Sequence, residues 1–154
     1  MIDKRSANTR NRMKYLTGMF ALLTLFLTGC TGEDDIADIP NPELVAVAFF
    51  DALYNQKDVK KAASVCSPKL SRILLHYKLP TAVGRHLFNM QYDQVEIKPD
   101  DSGVKVREQF KEKADVILYF DGTYQGDRIK DVKRLSLVQV DGRWVINKIL
   151  KDPF

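Results

Sequence analysis

Asp115 and Tyr119 lie four residues apart in Ala114-Asp115-Val116-Ile117-Leu118-Tyr119-Phe120, whose alternation reads as a β-strand and puts both on one face with Ile117 between them. A carboxylate among apolar groups has a raised pKa and can abstract a proton, and a phenol can donate a hydrogen bond. The pair is therefore a candidate base and donor. The same alternation argues against it, because Ala114, Val116, Leu118 and Phe120 make the more apolar face, the one expected to point inward. His86, beside Arg85 on an amphipathic segment, is a further acid/base candidate, whereas His76 shares a solvated helical stripe with Lys69 and Arg72. Phe49, Phe50 and Tyr54 at helical spacing read as core rather than as a ligand-stacking box. The chain has no Gly-rich phosphate loop, Gly-x-Ser-x-Gly elbow or His-Glu-x-x-His motif, and no Cys/His set has metal-ligand spacing. No metal and no cofactor is expected.

The two cysteines, Cys30 and Cys66, have different surroundings. Lys4, Arg5, Arg10, Arg12 and Lys14 precede a 13-residue apolar run, Tyr15 to Leu27, that ends in Thr28 and Gly29 before Cys30. This is the layout of an export signal, and the run is well short of the roughly 20 residues that span a bilayer. Leu27-Thr28-Gly29-Cys30 resembles the lipobox of bacterial lipoproteins. The resemblance implies that residues 1–29 are a signal peptide removed in the mature protein and that Cys30 is lipidated, which attaches the chain to a membrane. Each buried acyl methylene contributes about 0.8 kcal/mol, so two or three chains hold effectively permanently. Thr31 is not the aspartate that resembles an inner-membrane retention signal, so the expected location is the bacterial cell envelope, at the outer membrane facing the periplasm. With Cys30 carrying lipid, no intramolecular disulfide is available to Cys66, which follows Ala62, Ala63 and Val65 and reads as a small buried core residue.

The signal also accounts for the charge. Residues 1–29 hold five basic side chains and one acid, Asp3, which is the whole of the formal +4; the rest holds nineteen of each sign. Net charge therefore gives no support to a nucleic-acid partner or an anionic-lipid one. Local patches are a separate matter: Lys57, Lys60, Lys61, Lys69 and Arg72, with Lys111, Lys113, Lys130, Lys133 and Arg134 on the strands, read as solvated surface or as a docking patch for envelope glycans or acidic headgroups.

Residues 30–41, with Glu33, Asp34, Asp35, Asp38 and Pro40, read as a lipidated cysteine and a flexible acidic tether reaching about 35 Å. Residues 42–154 suit a single domain. Asn41-Pro42-Glu43 starts a helix that is apolar through Leu53, Asp58 caps a second one to Cys66, and Ser67-Pro68 reads as a capped start for Leu70, Ile73, Leu74 and Tyr77. Thr81 is expected to cap a last short helix to Phe88. From Tyr92 the period becomes two: strands are expected around Val95 and Ile97, around Val104, Val106 and Phe110, and from Ala114 to Phe120, with Gly122 to Asp127 turning the chain. Asp141-Gly142 is a two-residue hairpin signal that sets Leu137 opposite Ile146 and Gln139 opposite Trp144. Leu135, Leu137, Trp144 and Ile146 are then the expected floor of the core.

Helices followed by an antiparallel meander make an α+β fold. This order, the opening Pro-Glu-Leu-Val-Ala-Val-Ala-Phe-Phe-Asp-Ala-Leu-Tyr-Asn-Gln-Lys-Asp and the closing Val-Asp-Gly-Arg-Trp-Val-Ile-Asn-Lys-Ile resemble the nuclear transport factor 2-like superfamily over about residues 42 to 150. The resemblance implies N-terminal helices packed on a curved antiparallel sheet in a cone that binds a small molecule or is filled by side chains. It further implies, for enzyme members of the isomerase, dehydratase and cyclase kinds, an Asp or His base and a Tyr donor inside the cone, roles for which Asp115, Tyr119 and His86 are the candidates. The favoured expectation is a lipid-anchored envelope protein that binds an envelope protein, a small apolar ligand or a second copy of itself, without catalysis. The alternatives are such an enzyme and a structural or inhibitory interaction domain.

Overall fold

The computed structural model describes residue 36, residues 39–100 and residues 112–152. The expected export signal, Cys30 and the strand expected around Val104 to Phe110 lie outside the described residues. Helix α1 (Pro42–Tyr54) opens as its sequence dictates: the Asn41 side chain accepts hydrogen bonds from the backbone N–H groups of Glu43 and Leu44, and proline occupies the first turn. Val45, Ala46, Phe49, Phe50, Ala52 and Leu53 are fully buried, so α1 is covered on more than one side. Helix α2 (Val59–Ser64) is capped by Asp58, whose carboxylate accepts from Lys61 N–H at 2.9 Å. Helix α3 (Pro68–Tyr77) buries Leu70 and Leu74, and helix α4 (Pro80–Val83) runs on into a π-helical turn, Gly84–Phe88.

Two of the expected caps are not made. Ser67 precedes α3, but its hydroxyl is buried with no hydrogen-bond partner, because the residue is engaged through its backbone: Ser67 N–H donates to Ile146 C=O at 2.8 Å. Helix α4 begins at Pro80 with Leu79 in the capping position, which places Thr81 inside the first turn rather than before it.

Among the described residues the sheet is an open four-stranded antiparallel arrangement in the order β1 (Gln94–Pro99), β2 (Lys113–Tyr124), β3 (Asp127–Val140) and β4 (Arg143–Ile149). Both long hairpins turn on two residues with positive φ, Gln125-Gly126 and Asp141-Gly142, the backbone that the right-handed strand twist favours. The first turn is tighter than the expected span from Gly122, which sits inside β2 opposite Val95. A Cβ there would meet Tyr92 Cδ1 at 2.7 Å and Val95 Cα at 2.9 Å, so glycine is what lets β1 and the Tyr92 ring approach β2. Pairing across Asp141-Gly142 sets Leu137 opposite Ile146 and Gln139 opposite Trp144, and a bulge at Asn147 then brings Leu135 opposite Ile149.

Both sheet edges are partly covered by the helical half. At β1, the Asn55 amide acts as a short strand: it donates to Val95 C=O at 3.0 Å and accepts from Val95 N–H at 3.1 Å, while Asp51 accepts from its Nδ2 at 2.8 Å. At β4, Ile146 N–H donates to Val65 C=O, and Cys66 forms a parallel bridge with Ile146.

Between α1 and the sheet lies a cluster of aromatic rings. Phe50 meets Phe49 at 4.8 Å, Phe88 at 5.0 Å and Phe120 at 4.8 Å edge to face, and stacks on Tyr54 at 5.9 Å. Leu135, Leu137 and Ile146 floor this core as expected, but Trp144 is only partly buried. Its indole N–H donates to Pro40 C=O at 3.1 Å, and Ile36 is buried while Ile39 packs against the core. The packed chain thus starts before residue 42, because two isoleucines three residues apart would otherwise leave apolar surface in water.

Candidate functional site

The face of the sheet turned away from α1 carries a groove of about 600 Å³. Register builds it from two cross-strand rows: Glu96, Asp121 and Lys130 in one, Lys98, Tyr119 and Val132 in the other. Each of these side chains alternates with an inward residue of its strand, among them Val95, Leu118 and Phe120, so the pattern that buries the core also exposes this row. Phe120, Asp131 and Asp152 complete the lining.

The charges in the groove are paired. Lys98 Nζ lies 2.8 Å from Glu96, and Asp121 takes two hydrogen bonds from the Arg128 guanidinium, at 2.7 and 2.6 Å, with Lys130 at 3.3 Å. Those Arg128 bonds, with Lys130 adding to them, hold the Asp121 carboxyl at about 2. An acid so committed is a fixed anion, unable to serve as a base near neutral pH. Asp152 pairs with Lys133 at 2.6 Å. Tyr119 is 42% exposed between these pairs, beside Val132, and offers a ring face and a hydroxyl. The groove therefore presents an apolar centre with a fixed polar rim.

The three sequence candidates are not brought together. Asp115 is on the same outward face as Tyr119 but four residues away, about 13 Å along a strand. Its carboxylate accepts from Arg134 Nη2 at 2.8 Å, which engages it structurally. His86 is on the helical half, exposed and stacked on Tyr77 with ring centroids 5.3 Å apart. The inward pointing of Ala114, Val116, Leu118 and Phe120 agrees with the alternation.

Sequence reasoning missed a second carboxylate–phenol pair. The Tyr92 hydroxyl donates to Asp131 Oδ2 at 2.6 Å; Tyr92 is buried against Tyr54 and Phe120, and Asp131 reaches the groove. Burial, then the bond to Asp131, raises the Tyr92 pKa far out of reach, and burial does the same to Tyr54, so both phenols stay protonated. The available signal was positional: Asp131 falls on the inward set of β3 with Leu135 and Leu137, an unusual place for a carboxylate without a partner. Cys66 is buried as expected; desolvation pushes its thiol up to about 12, which leaves it unreactive.

Among the described residues no Asp, Glu, Lys, Arg or His is buried, no group of His, Cys, Asp and Glu could hold a metal ion, and no helix is long and apolar enough to cross a membrane. Compared with protein-family models, curated proteins and solved structures, the chain matches none.

Proposed function

We propose that this is a lipid-anchored protein of the bacterial envelope, held at the outer membrane through Cys30, whose domain binds a small molecule and does no covalent chemistry on it. One observation carries the binding part: the space between helix and sheet is occupied by aromatic rings, while a groove of about 600 Å³ stands open on the opposite face. On this reading the fold is nuclear transport factor 2-like with a filled cone, an assignment supported by α1 lying on a meander that follows it in sequence. The ligand would lay an apolar body on Tyr119 and Val132 and turn polar ends toward Lys98 and the Asp121 pair. The tether is short: five residues separate Cys30 from buried Ile36, a stretch that spans about 20 Å at most.

The second reading, an acid/base enzyme, has Tyr92–Asp131 in its favour rather than Asp115 and Tyr119. That phenol keeps its proton and commits it to a hydrogen bond with the carboxylate, so the pair serves as a tie between β1's approach and β3.

A native mass spectrum of the protein isolated from its host tests the binding. The expected result is a retained small molecule that is lost in Tyr119→Arg; a spectrum of bare protein alone, or a ligand kept by that variant, contradicts the groove. Labelling with radioactive palmitate tests the anchor: label on the wild type and none on Cys30→Ala is expected, and an unlabelled wild type refutes it.

A further inference from the structure

The zero net charge of the chain from Cys30 onward conceals a division. From Val59 to Tyr92 there are six basic side chains, Lys60, Lys61, Lys69, Arg72, Lys78 and Arg85, and no Asp or Glu; the remainder holds thirteen basic and nineteen acidic residues. Five of the six are exposed and Lys61 is half-buried. Among the described residues no carboxylate pairs with any of them. On the strands, by contrast, Lys98, Arg128, Lys130, Lys133 and Arg134 each have an acid within 3.3 Å.

The same segment exposes Ile73, Leu75 and Leu79, at 38%, 43% and 62%. Helix α3 turns about 100° per residue, so the arc opposite buried Leu70 and Leu74 runs Leu75, Arg72, His76, Lys69, Ile73, a polar stripe holding two cations, Arg72 and Lys69, flanked by two aliphatics. Lys78, at φ 62°, turns the chain out of the helix and leaves Leu79 as the most exposed large apolar side chain described. The Tyr77–His86 stack ties the turn bearing Arg85 to the end of α3.

We infer that this surface of α3 and the turn after α4 seats the domain on an anionic lipid bilayer. A glycan or nucleic acid would use the cations and leave the three aliphatics in water. A bilayer interface takes both, with headgroups meeting the cations and the aliphatics entering the acyl boundary. The inference concerns the patch alone and stands whether or not Cys30 carries lipid.

Hydrogen exchange of the full chain bound to vesicles tests it, with phosphatidylglycerol and phosphatidylcholine in equal parts against phosphatidylcholine alone. Peptides covering residues 68–88 should exchange at least fivefold more slowly on the anionic vesicles, with β1 to β3 unchanged. Roughly 1 M salt, where the screening length is about 3 Å, should remove the difference. So should Arg72→Glu with Lys78→Glu, and Leu79→Ser should reduce it if that pair misfolds. Equal exchange on both vesicles, slowing on the strands instead, or the same slowing with a soluble sulfated polysaccharide would overturn it. Attachment to anionic vesicles only would support the patch and refute the lipid anchor.

Discussion

Phe50→Ala is the sharpest probe of the filled interior. The ring is fully buried and touches Phe49, Phe88 and Phe120 edge to face and Tyr54 face to face, so truncation removes its transfer free energy and four ring contacts at once. Phe→Ala in a core costs about 3–5 kcal/mol. The upper half of that range is expected, because the neighbouring rings of Phe49, Phe88 and Phe120 are themselves packed and buried and cannot collapse inward. At roughly 4 °C per kcal/mol for a domain of this size, the melting temperature should fall by about 16–20 °C. Phe50→Leu keeps most of the volume and loses the ring pairs, so about 1–3 kcal/mol is expected. Urea denaturation followed by Trp144 fluorescence measures both, and xenon or benzene should stabilise the alanine variant by entering the apolar void. A loss under about 1 kcal/mol for Phe50→Ala would refute the packed interior, and with it the reason for placing the ligand outside.

Other outcomes follow from single contacts. Asn41→Ala should cost about 1 kcal/mol by thermal denaturation, whereas Ser67→Ala should be neutral or stabilising, since its hydroxyl is buried with no partner. Gly122→Ala should destabilise by about 1–3 kcal/mol because the new methyl meets Tyr92 and the β1 backbone; the crystal structure of the variant should show β1 displaced. The Asp121 carboxyl is held at about 2, below the ordinary 3.8, so its contribution is whole above 3.8 and disappears as pH falls through about 2. Carbon-13 titration of Asp121 should therefore show it ionised at pH 3, and Arg128→Ala should return its midpoint toward 3.8.

Much of the fold was legible because local chemistry and tertiary burial agree. Asn41-Pro42, Asp58 and Asp141-Gly142 each specify an element end by side-chain or backbone geometry, and the strand alternation from Ala114 to Phe120 matches its burial residue by residue. Where the reading failed, a long-range contact had overridden a local signal. Ser67 gives up its cap to pair with β4, and Trp144 turns partly outward because Pro40 accepts its indole N–H. Residues 30–41 read as a free tether because acids and a proline dominate their composition, which hides the packing of Ile36 and Ile39. The groove was not legible at all. It depends on the register of three strands, which brings Glu96, Tyr119 and Lys130 together from widely separated positions, and no spacing within one strand encodes that. The Tyr92–Asp131 pair is hidden for the same reason.

The most direct test of a binding domain with a closed interior is a nuclear magnetic resonance titration of the protein with the small-molecule extract of its own host's envelope. Shift changes should be confined to the outer face of β1 to β3, at Glu96, Tyr119, Asp121 and Val132, and the bound component should return unaltered. Changes centred on Phe49, Phe50 and Phe88, or recovery of a chemically converted component, would contradict the account.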